Sequence, residues 1–427
     1  MIHSSAPTPG HRIGFVSTRF GQIDGVSLET AKWAEVLRRL GHDCFYFAGE
    51  CDRPAEITQL VPEAHFGHPD ILSINERALG LRVRPPELTD QIHLLARHIK
   101  IQLYEYVRRF NLELLIVENA LSIPMNIPLG VAITEFISET GIPTIGHHHD
   151  FSWERRRYMV NCVWDFLDMA FPPNLPALRH VTINSEASRE LSQRVGVSSR
   201  RIPNVMDFDN PPGPPESYGD HLRRDLGIAP DEYLILQPTR VVRRKGIEHA
   251  IELVRRLDVK ARLVISHASG DEGDAYAERI FTFARLLGVD VVWASHRVGL
   301  QRGTDDDGTR IYSLADVYPR ADLITYPSIL EGFGNAFLEA VYYSRPIVVN
   351  NYTIYTLDIK PKGFRAIEFD GFITSDTLRD VRRALEDRGF VEELAAHNYA
   401  LAKRYFSYTA LEEELSALVY ASIGGAK

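Results

Sequence analysis

The sequence is poor in cysteine. Its 427 residues include three, Cys44, Cys51 and Cys162, and none of them belongs to a Cys-x-x-Cys pair. This arrangement excludes the usual zinc-binding and disulfide-rich frameworks, and it indicates a protein of a reducing compartment.

Long apolar runs are also lacking. No stretch of the sequence reaches the roughly 20 consecutive apolar residues of a membrane-spanning helix. The first residues, MIHSSAPTPGHR, are polar and lack the apolar core of a signal peptide. The sequence therefore predicts a soluble, cytoplasmic protein without an integral membrane segment, and it leaves a homo-oligomer open.

There is no excess of positive charge. Lys and Arg total 48 against 57 Asp and Glu, which gives a formal net charge of -9 at pH 7. This balance argues against nucleic acid or an anionic membrane as the main partner. The motifs GxSxG, GxxxxGK(S/T) and GxGxxG are absent, so hydrolase, P-loop and dehydrogenase functions are disfavoured.

What the sequence does contain is a regular alternation of strand and helix patterns. A short apolar run at 12–20 predicts a buried strand, an amphipathic stretch at 24–42 predicts a helix, and 43–50 predicts a second strand. Such units recur along the chain, which is typical of a doubly wound α/β fold with parallel strands.

A proline- and glycine-rich segment interrupts this alternation. We predict a Rossmann-like first domain over 1–205, a linker over 206–220 and a Rossmann-like second domain over 221–403. The segment 404–427 contains a last helix, predicted over 404–422. Ligands of such sheets bind beyond the carboxyl ends of the strands, so functional residues are expected in strand-to-helix loops.

The stretch EGFGNAFLE lies in one such loop of the second domain. A helix is predicted to start near Gly334, and its first amides have no partner inside the helix and attract a phosphate. Glu331 and Glu339 could accept hydrogen bonds from hydroxyls on either side of that phosphate. An amphipathic helix with two solvated glutamates remains the alternative. The candidate donor-binding residues here are Gly332, Phe333, Gly334, Asn335, Ala336 and Glu339.

Two further loops carry residues suited to a diphosphate. In QPTRVVRRKG, Arg240 and Lys245 follow a strand of the second domain, where fixed cations could neutralise the charge. A solvated basic turn is the alternative. In the first strand-to-helix turn of the chain, Gly25 and Val26 could bring backbone close to the same group, although an ordinary turn fits equally.

The stretch GHHHDFSWERRRY follows a strand of the first domain. Since neighbours on an extended chain point to opposite faces, only His147 and His149 can share a side. No third ligand is evident, so we expect no metal site. His149 is better suited to hydrogen-bond a sugar hydroxyl. The candidate residues for an anionic acceptor, which could instead form a solvated face, are Asp150, Trp153, Arg155 and Arg156.

Taken in order, these motifs resemble the retaining glycosyltransferases of family 4, which have the GT-B fold of two Rossmann-like domains facing a cleft. EGFGNAFLE is similar to the Glu-x7-Glu motif of that family, RVVRRKG to its Arg-x4-Lys pair, and PTIGHHHD to the strand that ends in its active-site histidine. The resemblance covers most of the chain, and it implies that the helix in 404–427 crosses back to the first domain.

The resemblance implies the following roles. Arg240 and Lys245 hold the donor diphosphate, Glu339 binds the ribose, Glu331 the transferred sugar, and His149 the sugar hydroxyls near the reacting carbon. The leaving phosphate helps to deprotonate the acceptor on the same face, so no protein nucleophile, metal or other cofactor is required. The implied catalytic set is His149, Glu331, Arg240 and Lys245.

The function expected from this resemblance is hexosyl transfer from a nucleotide sugar of the GDP-mannose or UDP-glucose type to a small soluble acceptor, with an anion as one option. Residues 296–312 are longer and more polar than is usual where the nucleobase binds, which leaves the base open. Two other functions remain: a nucleotide-sugar 2-epimerase and a non-catalytic nucleotide-sugar binder.

Overall fold

The computed structural model describes residues 10–21, 25–269 and 273–424. The start of the helix predicted at residue 24 lies outside these ranges. The chain divides into two compact units. Unit 1 comprises Met1–Val205 and Tyr408–Lys427, and unit 2 comprises Met206–Ser407.

Unit 1 is built on a seven-stranded, fully parallel sheet with the order β5-β3-β1-β6-β7-β8-β9. Most of its strands are short apolar runs that are buried on both faces, as parallel strands covered by helices require. The predicted strand 12–20 is two strands, because the chain leaves the sheet after Val16 and β2 pairs with β4. The strands are β1 Arg12–Val16, β2 Arg19–Phe20, β3 Asp43–Ala48, β4 Glu50–Cys51, β5 Thr58–Leu60, β6 Leu114–Glu118, β7 Thr144–His148, β8 Leu178–Thr182 and β9 Ser199–Arg201.

Helices cover both faces of this sheet. Apolar side chains of α2, α3, α4 and α5 form one core layer with the strands, and those of α1 and α14 form the other. The helices of unit 1 are α1 Gly25–Arg39, α2 Pro69–Ala78, α3 Pro86–Phe110, α4 Ile127–Thr140, α5 Trp164–Ala170, α6 Ser185–Val195 and, from the end of the chain, α14 Tyr408–Gly424.

The last predicted helix, 404–422, is wrong in its boundaries. The chain forms α13, Arg388–Phe406, and then α14, and the break falls at the buried residue Ser407, whose backbone is extended. Leu411, Leu415 and Leu418 of α14 are buried in the core of unit 1. The end of the chain therefore completes the first α/β unit.

Unit 2 repeats the architecture with a six-stranded parallel sheet of order β12-β11-β10-β16-β17-β18. Helices α8, α9 and α12 pack against it through an apolar core. The strands are β10 Tyr233–Gln237, β11 Ala261–Ile265, β12 Val291–Trp293, β13 Val298–Gly299, β14 Gly303–Thr304, β15 Arg310–Ser313, β16 Leu323–Tyr326, β17 Ile347–Asn350 and β18 Ile367–Phe369. The helices are α7 Leu222–Asp225, α8 Ile247–Leu257, α9 Ala275–Leu287, α10 Leu314–Val317, α11 Asn335–Tyr342, α12 Ser375–Glu386 and α13.

The polar segment 296–312 forms much of a small separate sheet of order β13-β15-β14. The guanidinium of Arg302 binds both carboxylate oxygens of the buried Asp316, with Nε at 3.1 and 3.0 Å. Tyr218 Oη donates to the backbone oxygens of Gly303 and Ile311, at 2.9 and 3.0 Å. The segment is thus an ordered insertion before α10.

Each of the two parallel sheets has one point at which the order of the strands along the chain reverses. In unit 1 the strand order reverses between β1 and β6, and in unit 2 between β10 and β16. In open α/β sheets the loops after such strands form the ligand-binding crevice. Among the described residues, no helix has the length and apolar character needed to cross a bilayer.

Candidate active site

The loop between β16 and α11 has a backbone that only glycine can adopt at one position. Gly334 has φ of 123°, and a Cβ there would lie 2.2 Å from Tyr352 Oη. That hydroxyl donates to the backbone oxygen of Phe333 at 2.9 Å, so the turn is fixed from both sides. Helix α11 begins at the next residue, Asn335. Its first amides therefore open at the switch point of the unit 2 sheet and suit an anion.

The loop after β10 contacts this turn through an ion pair. Lys245 Nζ donates to Glu331 Oε1, and Arg244 Nη1 donates to Glu331 Oε2 at 3.2 Å. Lys245 and Glu331 are each about 8% exposed. Gly246 has φ of 57°, and a Cβ would lie 2.5 Å from Pro327 O. The close approach of the two loops brings the lysine of the Arg-x4-Lys pair onto the first glutamate of the Glu-x7-Glu motif.

Burial and charge act in opposite directions on this pair. Burial alone would raise the pKa of Glu331, but Lys245 and Arg244 hold that pKa below its usual range. Burial lowers the pKa of the Lys245 ammonium, and Glu331 offsets part of the effect. An incoming phosphate would meet a lysine that is already positioned and partly desolvated.

Arg240 is exposed, and its guanidinium makes no hydrogen bond or ion pair with another described residue. Burial is the main cause that lowers the pKa values of Lys245 and of His267, and the positive charge of Arg240 lowers both of them further. His267 follows β11, and its Nδ1 lies 2.7 Å from Ser266 Oγ. Sequence reasoning missed His267, although its place after a strand of the same sheet was a usable signal.

Glu339 lies one turn inside α11 and is half-buried. The buried Tyr318 donates its hydroxyl to Glu339 Oε2 at 2.6 Å. The carboxylate is therefore held in place by a tyrosine that the sequence reasoning did not identify.

In unit 1, the ends of β6 and β7 bring a carboxylate to the histidines. Glu118 pairs in register with His147, and its Oε2 lies 2.9 Å from His147 Nδ1 and 3.3 Å from His149 Nε2. Glu118 is fully buried and the His149 side chain is 10% exposed. The sequence showed no evident third ligand, but Glu118 is a candidate, because the three residues bring one potential metal-binding atom each within 4.8 Å of one another. The expectation of no metal site itself stays a prediction.

The charges in this cluster are distributed unevenly. Burial alone would raise the pKa of Glu118, but His147 and His149 lower it to about 2. Burial lowers the pKa of His147. For His149, burial is outweighed by Glu118, and the pKa is raised. The cluster is thus an anionic carboxylate, one histidine whose pKa burial lowers and one histidine that holds its proton more tightly than usual.

The four acceptor candidates separate into different environments. Asp150 accepts from Arg155 Nε and from Asn119 Nδ2, both at 2.9 Å. Trp153 donates to Glu190 of α6 at 2.6 Å and stacks on Phe151. Arg156 is exposed. The structure therefore groups Asp150 with Arg155 and turns the indole nitrogen of Trp153 toward α6.

Gly25 is the first residue of α1 and Val26 the second. A Cβ at Gly25 would meet no described atom within 4 Å. The adjoining part of the loop, residues 22–24, lies outside the described ranges.

A scan against profiles of known protein families finds no match. Comparison with curated proteins gives a full-length relative, the mannosylglucosylglycerate synthase of Thermotoga maritima. It is 30% identical over 450 aligned positions, which cover 95% of this chain and 99% of the relative. This chain belongs to the mannosylglucosylglycerate synthase family of glycosyltransferases.

Other relatives of this glycosyltransferase are also named as enzymes that transfer or assemble sugars. The enzyme of the same name from Petrotoga mobilis is 33% identical over 387 residues, covering 83% of this chain and 86% of the relative. The serotype-specific mannosyltransferase WbdA of Escherichia coli is 27% identical over 222 residues, covering 50% of this chain and 25% of the relative. The chain is therefore an enzyme that transfers a glycosyl group, not an epimerase or a non-catalytic binder.

Solved structures confirm the predicted fold class. A glycosyltransferase from Rickettsia africae has a TM-score of 0.66 and 12% identity, covering 97% of this glycosyltransferase and 98% of that chain. Anabaena HepE in complex with UDP-glucose has a TM-score of 0.63 and 12% identity, covering 96% and 100%. The fold is GT-B, with two Rossmann-like α/β units.

Proposed function

We propose that this enzyme is a retaining hexosyltransferase of family 4 that moves a mannosyl unit from a nucleoside diphosphate donor to a small anionic acceptor of the glucosylglycerate type. The relatives from Thermotoga maritima and Petrotoga mobilis are both named for the synthesis of mannosylglucosylglycerate. Of the two donor types considered from the sequence, GDP-mannose is the one that carries mannose.

One observation carries the proposal. Lys245 and Glu331 form a buried pair at the carboxyl ends of β10 and β16, beside the amides that open α11. A diphosphate is the ligand that suits both a fixed cation and a helix amino terminus. In the proposed site Arg240 and Lys245 hold the diphosphate, and Glu339 binds the ribose while Tyr318 holds it in place.

The proposed chemistry makes and breaks bonds on one face of the sugar. The bond between the anomeric carbon and the diphosphate oxygen breaks, and the acceptor hydroxyl oxygen bonds to the same carbon. The acceptor proton passes to the departing diphosphate. The protein's part is positioning and stabilisation of developing charge, with Glu331 and His149 on the sugar hydroxyls. The reaction then needs no divalent metal, since cations and helix amides neutralise the diphosphate.

For the acceptor, we propose that Arg155 and Arg156 bind a carboxylate. Both lie in the loop that follows β7, a few residues after His149. Arg155 is already oriented by its hydrogen bond to Asp150. A guanidinium is suited to a planar carboxylate through paired N–H donors. A cytoplasmic location completes the proposal and rests on the three unpaired cysteines.

A substrate panel tests this function. The enzyme is incubated with GDP-mannose or UDP-glucose, with and without glucosylglycerate, and with a neutral glucoside as the matched acceptor lacking the carboxylate. We expect acceptor-dependent release of GDP, an α-linked product by proton NMR, and no loss of rate after EDTA. An inverted anomer, a strict metal requirement, or equal rates with the neutral glucoside would each refute the corresponding part.

A further inference from the structure

The fully buried carboxylate of Glu118 has no part in the function proposed so far. It is the last residue of β6, and its backbone oxygen accepts from Ser17 Oγ at 3.0 Å, next to the end of β1. A buried carboxylate is costly unless it is paired. Among the described residues, His147 and His149 are the partners that offset this cost, so the position of Glu118 in the fold depends on them and theirs on it.

The contacts fix the histidines from several directions. His149 N donates to Asn119 Oδ1 at 3.0 Å, while its ring Nε2 faces Glu118 Oε2. The His147 ring packs between Trp33 and His149, with ring centroids 4.0 and 4.3 Å away. Backbone, ring nitrogen and ring face are therefore all held, which leaves the His149 imidazole little freedom to rotate.

We infer that Glu118 is a positioning residue that holds the His149 imidazole with Nε2 on the carboxylate, so that Nδ1 is the ring nitrogen presented to the substrate. The inference rests on the proposed role of His149 at the donor sugar. Nε2 lies 3.3 Å from Glu118 Oε2. An ionised carboxylate can only accept a hydrogen bond, so Nε2 is the nitrogen that carries the hydrogen, and Nδ1 has no hydrogen-bond partner among the described residues. A histidine tautomer is set by the hydrogen bond of the opposite nitrogen.

The carboxylate charge also affects the proton on His149, whose pKa is raised by Glu118 against the effect of burial. Glu29 and Asp150 raise that pKa as well, while burial lowers the pKa of the facing His147. Glu29 is itself paired with Lys32 Nζ at 2.9 Å. Glu118 is accordingly the only acid among these whose carboxylate contacts the ring.

Nitrogen NMR of the ¹⁵N-histidine enzyme tests the inference without requiring turnover. In the wild type, we expect a His149 pKa above the ordinary 6.5 and the Nε2–H tautomer above that pKa. Glu118→Gln keeps the side-chain shape but removes the charge, and we expect the His149 pKa to fall because the carboxylate no longer counteracts the effect of burial. The acid limb of kcat should move by the same amount while KM for the acceptor stays constant.

Glu113→Gln is the matched control. Glu113 precedes β6 at its opposite end and also faces a histidine, with His11 Nδ1 at 3.1 Å. This control should leave the His149 resonances and the pH profile unchanged. If Glu118→Gln does not fold, the wild-type titration decides, since a His149 pKa below 6.5 or a dominant Nδ1–H tautomer contradicts the inference.

Two further results separate the possible explanations. Stoichiometric binding of Co²⁺ with tetrahedral absorption bands, lost in Glu118→Gln, would make the cluster a metal site and overturn the positioning role. The expected NMR shifts in an enzyme that transfers no sugar from any donor would support the positioning of His149 and refute the proposed transfer function instead.

Discussion

At the scale of single residues, the main consequence of the structure is that Lys245, the lysine proposed to bind the diphosphate, is already paired with a carboxylate. Lys245 is paired with Glu331 in a buried environment, with Arg244 on the second carboxylate oxygen. A bound diphosphate would compete with Glu331 for this ammonium. Glu331 therefore weakens anion binding, while its proposed contact with the sugar favours transfer.

Glu331→Gln separates these two effects. Loss of the negative charge should strengthen GDP binding, by about tenfold if the change is worth 1.4 kcal/mol. The loss of the proposed sugar contact should lower kcat by about 10²-fold. Equilibrium binding of GDP and initial rates of transfer measure the two quantities. Weaker GDP binding in this variant would contradict the competition between carboxylate and phosphate.

Gly334 and Gly25 give a contrasting pair of substitutions. Gly334→Ala combines a left-handed φ with a clash against Tyr352 Oη and should destabilise the fold by about 1–3 kcal/mol. A Cβ at Gly25 meets no described atom, so Gly25→Ala should leave the melting temperature unchanged. If the backbone at this position approaches the donor, the same substitution should raise the KM for the donor. Thermal unfolding and donor titration check both. Equal melting temperatures for the two variants would contradict this account of the turn.

At the scale of elements, sequence patterns predicted the alternation of strands and helices because each buried strand is a short apolar run and each helix has one apolar face. They did not predict the break at Ser407, since the flanking residues continue a helical pattern and the extended backbone of this buried residue is seen only in the structure. Glu118 was missed for a similar reason. It ends an apolar run, and its partner histidines are about 30 residues away in sequence.

Helix α14 gives a stability test at this scale. Leu415 is fully buried in the core of unit 1, whereas Tyr420 of the same helix is 77% exposed. Leu415→Ala should lower the free energy of unfolding by about 2–5 kcal/mol, and Tyr420→Ala should change it by less than about 0.5 kcal/mol. Denaturant unfolding measures both. Similar losses in the two variants would contradict the packing of α14 on unit 1.

At the scale of the whole molecule, the order of motifs in the sequence predicted the GT-B fold and glycosyl transfer, which solved structures and a full-length relative confirm. The base, the acceptor and the individual roles of site residues could not be predicted with the same force. They depend on side-chain contacts such as Tyr318 with Glu339, which join positions 21 residues apart.

The stability of the whole protein should depend on pH through the Glu118 cluster. The pKa of Glu118 in the folded protein is about 2, below its ordinary 4.5. Its ionised carboxylate therefore contributes fully to the free energy of unfolding above pH 4.5, and this contribution is lost as the pH falls toward 2. The pKa of His149 is raised in the folded protein. Its contribution to the free energy of unfolding is therefore complete below pH 6.5 and is lost as the pH rises through the pKa of the folded protein. The difference in melting temperature between wild type and Glu118→Gln should therefore be largest between pH 4.5 and 6.5. A difference that does not vary with pH would contradict the assignment.

The central claim is that a donor diphosphate binds to unit 2 through Arg240, Lys245 and the amides that open α11. Calorimetric titration of GDP and UDP into the wild type, Lys245→Ala and Lys260→Ala tests it most directly. Lys260 is the matched control, an exposed lysine that pairs with Asp231 and directly precedes β11, at the opposite end of the strands. We predict one nucleotide per chain in the wild type and in Lys260→Ala, and binding about 10²-fold weaker in Lys245→Ala, in line with the loss of a buried charged hydrogen bond. Equal affinity in all three proteins, or no binding of either nucleotide to the wild type, would contradict the claim.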